Sequence, residues 1–439
     1  MTTLPPFYST GNKKSFGFVT ARSRWPNILN TAVEDIESFG ASVQSDPKII
    51  VESVKSLIKS LEDNEELVLF TEKEIEMIPS LKSYNDSFPY YQSLQSEPLT
   101  WHLSPWLFTE CYIYRKLDLY IKSQGGEWAN YDVFERLKRE TFIGSVHGVL
   151  ELAALYDNLE ISNENLPLLF EELIEVSLWG NATDLSLLAN ATLEDIQSVQ
   201  GKKARDASKA HVLANDLPAA WQQLLKSEQK PKRIDIVLDN AGFEFYCDLA
   251  LTLFLLDTKL CDEVVFHCKS RPWMVSDTMV KDYALWVEDM KILIAESNND
   301  KHLQNFLDKV EHYYANGQFK LVDNEFWTVD LEYSKIQKGG KYGGDELHQY
   351  FLNSTLVIIK GDLNYRKLTS DREWPKTTSF KESLGDLAHN GIHVLALRTC
   401  KADVCVGLKE GDEERVIKES GEEWCTLGKW AVISYSDGV

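Results

Sequence analysis

The sequence predicts an α/β protein with a mostly parallel sheet flanked by helices, a Rossmann-like α/β/α sandwich, preceded by an all-helical N-terminal domain. Three observations predict this fold. The chain has 439 residues, more than the roughly 250 to 300 at which one hydrophobic core stops growing, so two packed regions are expected. Short apolar runs alternate with helical stretches from Pro231 onward, as in parallel sheets covered on both faces. Before that point, apolar residues recur at helical spacing, as do Leu107, Cys111, Tyr114, Leu117 and Ile121.

The first 230 residues are predicted to be helical. Helical spacing also occurs in the segments NILNTAVEDIESF, KIIVESVKSLIKSLE and NLPLLFEELIEVSLW, and few strand-like alternations separate them. The charged segment LLKSEQKPKRID, which contains Pro231, is the predicted boundary between the halves. We therefore expect a helical domain over residues 1–230 and an α/β domain that binds a metal over residues 231–439.

The second half is predicted to alternate strands with helices. The predicted strands are Ile234–Leu238, Val264–His267, Phe319–Val322, Leu356–Ile359 and His393–Leu397. The predicted helices are Phe243–Leu256, Thr278–Glu296 and Glu346–Leu352. Parallel strands present their carboxyl ends at one edge of the sheet, and ligands bind there, so the residues after each strand are the candidates for function.

Charge and composition restrict the partners of the chain. The formal net charge of −22 repels the phosphates of nucleic acids and the headgroups of anionic lipids, so we expect neither nucleic acid nor membrane as a partner. The sequence contains no apolar stretch of 18 residues, and its first residues do not resemble a signal peptide. Seven cysteines without a CxxC motif indicate a reducing compartment, the cytoplasm or the nucleus. The chain is expected to act as a monomer.

Oxygen-bearing side chains follow the first two predicted strands. Asp239 and Asn240 come directly after the first strand, and Asp277 ends the loop after the second. Carboxylate and amide oxygens are the ligands that Mg²⁺ and Mn²⁺ prefer, so these three residues are candidate metal ligands. In the alternative interpretation, Asp277 caps a helix and Asp239 with Asn240 forms an ordinary turn.

Charged residues near the other strand ends are candidates for binding phosphate. An acidic protein needs local positive charge to bind a phosphate, and Arg366, Arg398 and Lys401 follow the last two predicted strands. The alternative interpretation of each is a solvated loop cation. Glu244 lies in the first turn of a predicted helix, where it would accept a hydrogen bond from a substrate hydroxyl or orient a water; a carboxylate is also favoured there by the helix dipole alone.

Seven segments, spread over nearly the full chain, resemble the metal-dependent damage-control phosphatases (domain of unknown function 89). The resemblance is to the branch that includes sugar phosphate phosphatases and an acidic residue methyltransferase. The combination of KGDLNYRKL with RTxK is specific to this family, whereas LDN alone is not. The segments are RSRWP, SPWLFTECYIYR, SLWGNATDLS, LDNAGFE, PWMVSD, KGDLNYRKLTSDREW and RTCKADVCVGL.

The resemblance implies a site, a cofactor and a class of substrate. Asp239, Asn240 and Asp277 match the metal ligands of the family, and Lys401 of the RTxK motif matches a lysine that binds phosphate. The implied cofactor is a divalent metal, Mn²⁺, Mg²⁺, Co²⁺ or Ni²⁺. The implied substrates are small phosphorylated sugars, and fructose 1-phosphate and fructose 6-phosphate are expected. The matching substrate contacts are Glu244, Asp362, Asn364 and Arg366; Asn181 and Asp184 lie in a matching segment without an assigned role.

Hydrolysis of a sugar phosphate monoester is therefore the predicted reaction, with Asp239, Asp277 and Lys401 as the catalytic residues. Spacing alone leaves open whether water or Asp239 attacks the phosphorus. Transfer of a methyl group from S-adenosylmethionine to protein glutamates is the alternative enzyme function, although no glycine-rich nucleotide loop follows the first strand. In a third interpretation, the chain is a binding module without catalytic activity.

Overall fold

A seven-stranded sheet organises the part of the chain that the structure, a computed structural model, describes, namely residues 4–180 and 209–439. Its strand order is β1-β7-β6-β5-β2-β3-β4. Strands β6 and β7 pair antiparallel and all other neighbours pair parallel, so the predicted mostly parallel sheet is confirmed. The strands are β1 (Val212–Asn215), β2 (Arg233–Val237), β3 (Glu263–Lys269), β4 (Phe319–Asn324), β5 (Leu356–Lys360), β6 (Val394–Thr399) and β7 (Ala431–Ser436).

Helices cover both faces of the sheet and make up the N-terminal region. The α-helices of the described part are α1 (Phe16–Val19), α2 (Trp25–Ser42), α3 (Lys48–Glu62), α4 (Glu72–Met77), α5 (Lys82–Gln92), α6 (Trp106–Lys122), α7 (Glu135–Gly144), α8 (Val146–Asp157), α9 (Leu166–Trp179), α10 (Leu217–Lys226), α11 (Phe243–Asp257), α12 (Asp282–Glu296), α13 (Lys301–Ala315), α14 (Gly344–Phe351), α15 (Asp362–Leu368), α16 (Phe380–Ser383) and α17 (Asp412–Ser420). Short 3₁₀ helices lie at Pro79–Leu81, Gly126–Asn130, Glu325–Thr328, Tyr333–Lys335, Gly385–His389 and Trp424–Thr426, and a π-helical turn at Thr20–Arg24. Within the described ranges, no helix combines the length and the apolar character needed to cross a bilayer.

All five predicted strands are confirmed, but two strands at one end of the sheet were not predicted. Strand β1 has only four residues and is partly exposed, so its sequence VLAN carries little apolar signal. Strand β7 adds antiparallel to β6 and pairs with β1 on its other side. The predicted all-helical character up to residue 230 is therefore wrong at β1, which precedes the predicted boundary and joins the sheet.

The first half of the chain contributes to two different hydrophobic cores. One core is formed mainly by buried residues between Ala21 and Phe134, whereas α8 and α9 share a second core with α11 and one face of the sheet. The apolar faces of α8 and α9 are thus covered by the α/β region, because α11 packs against both. A third core lies on the other face of the sheet. The division into two domains at residues 230 and 231 stays a prediction.

The N-terminal core reaches the carboxyl edge of the sheet. Trp273, Leu363 and Ala402 belong to the loops or helix that follow β3, β5 and β6, and all three are buried in the N-terminal core. Burial of such apolar side chains stabilises the folded state by roughly 25 cal/mol for each Å² of apolar surface that is removed from water. This contact therefore holds the N-terminal helices over the edge at which parallel strands place ligand-binding residues.

Candidate active site

Backbone hydrogen bonds join the loops that follow β2 and β3. The amide of Thr278 donates to the carbonyl of Asp239 at 2.8 Å, and the amide of Ala241 donates to the carbonyl of Ser276 at 2.7 Å. Asn240 and Asp277 form an antiparallel bridge between the same loops. The three predicted metal ligands therefore line one cavity. The alternative interpretation of Asp277 as a helix cap is wrong, because α12 begins five residues later.

Negative charge is concentrated at this point of the cavity. Burial raises the pKa of Asp239 well above its usual range, and the nearby carboxylates of Glu244 and Asp277 raise it further. Burial likewise raises the pKa of Asp277, although Lys269 opposes the shift. Buried carboxylates in mutual contact disfavour ionisation unless a cation neutralises them. A divalent cation between these side chains would supply that neutralisation.

Lys269 is a functional candidate that the sequence analysis missed. Its Nζ donates to the carbonyl oxygen of Leu238 at 2.8 Å and lies 3.1 Å from Oδ2 of Asp277. That Oδ2 atom is buried, and the Lys269 ammonium is its ion-pair partner within the part of the chain that the structure describes. The predicted second strand ends at His267, which places Lys269 in the loop that leads to Asp277, whereas in the structure Lys269 is the last residue of β3. The signal was present, because a lysine ending an apolar strand needs a buried partner.

Asn240 and Glu244 form the inner layer of the site. The amide nitrogen Nδ2 of Asn240 donates to Oδ2 of Asp239 and to Oε2 of Glu244, each at 2.8 Å, and its carbonyl oxygen accepts from Ser276. The other carboxylate oxygen of Glu244 lies 3.1 Å from Nζ of Lys360. Glu244 is buried and does not line the cavity. In this arrangement it holds Asn240, and through it Asp239, in place.

Gly361 gives the carboxyl group of Asp239 the room it occupies. A Cβ atom on Gly361 would lie 2.0 Å from Cγ of Asp239 and 2.1 Å from its Oδ2. Gly361 also has a φ of +89°, a region that favours glycine. No side chain larger than hydrogen fits at this position while Asp239 keeps its place.

Two residues of the KGDLNYR segment line the cavity with their charges already paired. Asp362 accepts from Nε of Arg398 at 2.8 Å and from the backbone amide of Lys401 at 2.9 Å. Arg366 donates to both carboxylate oxygens of Asp371, at 3.0 and 2.9 Å, and to Oε2 of Glu110 at 2.6 Å. Because two carboxylates neutralise Arg366, its charge is committed within the protein.

The structure does not place Asn364 or Arg398 on the cavity wall. The Asn364 amide donates to the carbonyls of Leu238 and Lys360 at 3.1 and 2.7 Å, which ties the ends of β2 and β5 together. Arg398 is fully buried, and besides Asp362 it binds the carbonyls of Ala402 and Val404. The predicted contact of these two side chains with substrate is therefore corrected to a role in holding the loops, because protein partners occupy their donors.

Lys401 lines the cavity with a free ammonium group. Within residues 4–180 and 209–439, no carboxylate lies within ion-pair distance of its Nζ, although its charge lowers the pKa of Asp239. Its backbone amide is fixed by Asp362. Of the three cations predicted to bind phosphate, Lys401 is thus the one placed and available to do so. Asn181 and Asp184 lie outside the described residues.

The cavity is formed by both halves of the chain. It encloses about 540 Å³, which is enough for a small phosphorylated metabolite. The residues that the α/β half contributes to the lining are Asp239, Asn240, Met274, Val275, Ser276, Asp277, Asp362, Leu363, Arg366, Thr399 and Lys401. Lys269 and Glu244 lie behind the wall. The helical half contributes residues that the sequence analysis did not assign, although it noted the segment RSRWP. These are Thr20, Arg24, Asn27, Ile28, Trp106, Glu110 and Tyr114.

The donors present fit a hard divalent cation. The described part of the chain contains no group of three or more His, Cys, Asp and Glu side chains arranged to hold a metal ion. The site instead combines two buried carboxylates, Asp239 and Asp277, with the amide of Asn240. Oxygen donors of this kind suit Mg²⁺ or Mn²⁺. The carboxylate of Asp239 favours a cation here, because it is buried and no lysine or arginine of the described residues lies within ion-pair distance of it.

The chain is similar in sequence to proteins of one family. A solved structure of a DUF89 family protein from Pyrococcus horikoshii aligns with a TM-score of 0.38 and 14% identity, covering 83% of this chain and 94% of that one. Damage-control phosphatase ARMT1 of Bos taurus is 31% identical over 455 residues, 98% of each chain. The Macaca fascicularis protein of the same name is 32% identical over 460 residues, 99% of each chain. The family model described as "Damage-control phosphatase ARMT1-like domain" matches residues 20–416, and the chain therefore belongs to this family.

Proposed function

We propose that the chain is a metal-dependent phosphatase that hydrolyses sugar phosphate monoesters, with fructose 1-phosphate and fructose 6-phosphate among its substrates. One observation supports this proposal most strongly: the buried carboxylates of Asp239 and Asp277 line the same cavity as the ammonium of Lys401, which has no ion-pair partner among the described residues. Membership of a family of damage-control phosphatases supports the reaction class. The site has the components that phosphoryl transfer requires, because this reaction depends on positioning and on charge stabilisation.

Each side chain has a distinct part in the proposed reaction. A divalent cation bound by Asp239 and Asp277, with the amide of Asn240, would polarise a phosphoryl oxygen and offset negative charge as the P–O bond breaks. Lys401 binds the remaining phosphoryl oxygens as a point charge. Asp362 fixes the backbone of Lys401, and Lys269 orients the carboxylate of Asp277. Glu244 accepts a hydrogen bond from Asn240, which also donates to Asp239, and so holds both side chains in position.

Release of phosphate from a panel of sugar phosphates tests the function. The protein is treated with a chelator, and Mg²⁺, Mn²⁺, Co²⁺ or Ni²⁺ is added back before phosphate is measured. We expect release from fructose 1-phosphate or fructose 6-phosphate only when a metal is restored, because the buried carboxylates then hold a cation. Methyl incorporation into a glutamate-bearing protein is measured in parallel. Methyl transfer without phosphate release under every metal would contradict the proposal, as would full activity after chelation.

A further inference from the structure

We infer that Thr20, Arg24 and Asn27 of the N-terminal helical region bind the sugar part of the substrate and make the enzyme prefer a polyhydroxylated leaving group. The inference rests on the proposed phosphatase function and adds its specificity determinants. It starts from a helical face that has no assigned part in the site, although it lines the same cavity as Asp239, Asp277 and Lys401.

The helix that carries these residues presents two faces. Thr20, Arg24 and Asn27 follow one another at steps of four and three residues and line the cavity, whereas Ala21 and Trp25 are buried in the N-terminal core. The segment begins with a π-helical turn, in which the amide of Trp25 donates to the carbonyl of Thr20. Such turns occur frequently at functional sites. The cavity face therefore has a fixed orientation set by the buried one.

The hydroxyl of Thr20 is the first observation that indicates a ligand. Thr20 is 1% exposed, and its Oγ1 atom has no hydrogen-bond partner in the part of the chain that the structure describes. Leaving a buried polar atom unsatisfied is unfavourable, so such atoms in native proteins require an explanation. A substrate hydroxyl in the cavity would satisfy the Thr20 hydroxyl as donor or acceptor.

The second observation that indicates a ligand is that the guanidinium of Arg24 lines the cavity, whereas the guanidinium of the neighbouring Arg22 is bound within the protein. Arg22 donates to the carbonyls of Thr10 and Phe18, at 2.8 and 3.0 Å, and stacks on the Phe18 ring. Arg24 lines the cavity, and no carboxylate of the described residues lies within ion-pair distance of it. Its described contact is with the ring of Phe16, at 5.1 Å. Arg24 therefore keeps donors for the oxygens of a bound sugar.

A chain of polar contacts aligns this helix with the α/β wall of the cavity. The indole Nε1 of Trp25 donates to Oε1 of Glu110 at 3.2 Å, and Oε2 of Glu110 accepts from Arg366 at 2.6 Å. The Arg366 guanidinium lies 3.7 Å from the centroid of the Trp106 ring. These buried contacts link α2 and α6 to α15, whose first residue Asp362 positions Lys401. The helical face is thus held relative to the group proposed to bind phosphate.

The donors on this face match a polyol. The five N–H groups of an arginine, the amide of Asn27 and the hydroxyl of Thr20 can together donate to and accept from several hydroxyl oxygens. A site built to bind hydroxyl groups discriminates strongly against analogues that lack them, because its polar groups then remain unpaired. Lys401 and the carboxylates bind the phosphoryl end, which is common to all phosphate esters. Selection among esters therefore falls to the helical face.

Variants of the helical face test the inference. For Arg24→Ala and Thr20→Val, kcat/KM for fructose 6-phosphate is expected to fall by about 10-fold or more. The inhibition constant of inorganic phosphate is expected to stay within about 2-fold of wild type, because phosphate does not use this face. Arg24→Lys should recover part of the loss. Arg415→Ala, which makes the same change in net charge and does not line the cavity, serves as the control.

Two results would overturn the inference. In one, kcat/KM for fructose 6-phosphate is unchanged in both variants. In the other, inhibition by phosphate weakens by the same factor as kcat/KM, which would place Arg24 on the phosphoryl group. Failure of the proposed function gives a different result, because the wild-type protein itself would then release no phosphate from any sugar phosphate. Thermal unfolding of each variant establishes that the fold is intact.

Discussion

Replacing Asp277 or Asp239 by Asn is expected to lower the rate of phosphate release by more than about 10³-fold, while the protein stays folded. Loss of a single electrostatic donor costs enzymes about 10² to 10³ in kcat, and here a carboxylate and the cation it holds would be lost together. The metal-free Asp239→Asn variant should unfold at the same temperature as wild type or higher, because burial raises the pKa of Asp239 and a neutral amide removes the cost of ionising it in the folded state. The Asp277→Asn variant should unfold at a lower temperature, because the buried Lys269 ammonium loses the carboxylate that pairs with it.

Asp289→Asn is the matched control for this pair of variants. Asp289 is also buried, and it pairs with Arg139, but it does not line the cavity. Its replacement should leave kcat within about 3-fold, although stability falls because Arg139, whose side chain is partly exposed, loses its carboxylate partner. Normal, metal-stimulated turnover by either the Asp239 or the Asp277 variant would refute the assignment. Trapping a phosphorylated wild-type enzyme would favour Asp239 over water as the nucleophile.

Gly361→Ala is expected to be the most damaging substitution that replaces no charged residue of the site. The new Cβ would occupy the space of the Asp239 carboxyl group, at 2.0 Å from its Cγ, so the carboxylate must move away from the cation site. We expect phosphate release to fall by about 10²-fold or more, because displacing a catalytic group by about 1 Å can cost that much. The measurements are kcat/KM for fructose 6-phosphate and the affinity for Mn²⁺.

Gly421→Ala separates the steric effect from backbone strain. Gly421 has φ and ψ of 86° and 176°, close to the 89° and 171° of Gly361, but a Cβ there meets no atom within 4 Å. Both alanine variants should lose about 1 to 3 kcal/mol of stability from the same strained conformation. Only Gly361→Ala should lose activity. Equal activity in the two variants would show that Asp239 does not need the position described for it.

The sequence predicted the central strands and the meeting of their carboxyl ends because both follow from local patterns. Continuous apolar runs such as VVF (residues 264–266) and LVII (residues 356–359) indicate burial on two faces, and parallel pairing then brings the following residues to one edge. Strand β1 carries no such pattern, because an edge strand of four residues needs little apolar surface. Its position depends on pairing with β7, which lies more than 200 residues further along the chain.

Position after a strand did not predict the direction of a side chain. Asp239 and Lys401, which follow β2 and β6, line the cavity. Asn364, which follows β5, and Arg398, which the structure places within β6, bind buried carbonyls instead. Such choices depend on partners distant in sequence. Arg366 shows the same effect, since Glu110 of the helical half pairs with it and removes its charge from the site. No role was predicted for Arg24, because its place in the cavity depends on the packing of the two halves. Lys269 was missed although its contacts, Leu238 and Asp277, lie in the α/β half.

Anomalous diffraction from crystals soaked in Mn²⁺ tests most directly the claim that Asp239 and Asp277 share one divalent cation. The expected result is a single strong anomalous peak in the cavity, coordinated by both carboxylates, which disappears in crystals of the Asp277→Asn variant. Lys401 should lie on the same side of the ion as a bound phosphate. The absence of a peak at this position would contradict the account. So would a peak coordinated by other residues while Asp277 remains paired with Lys269.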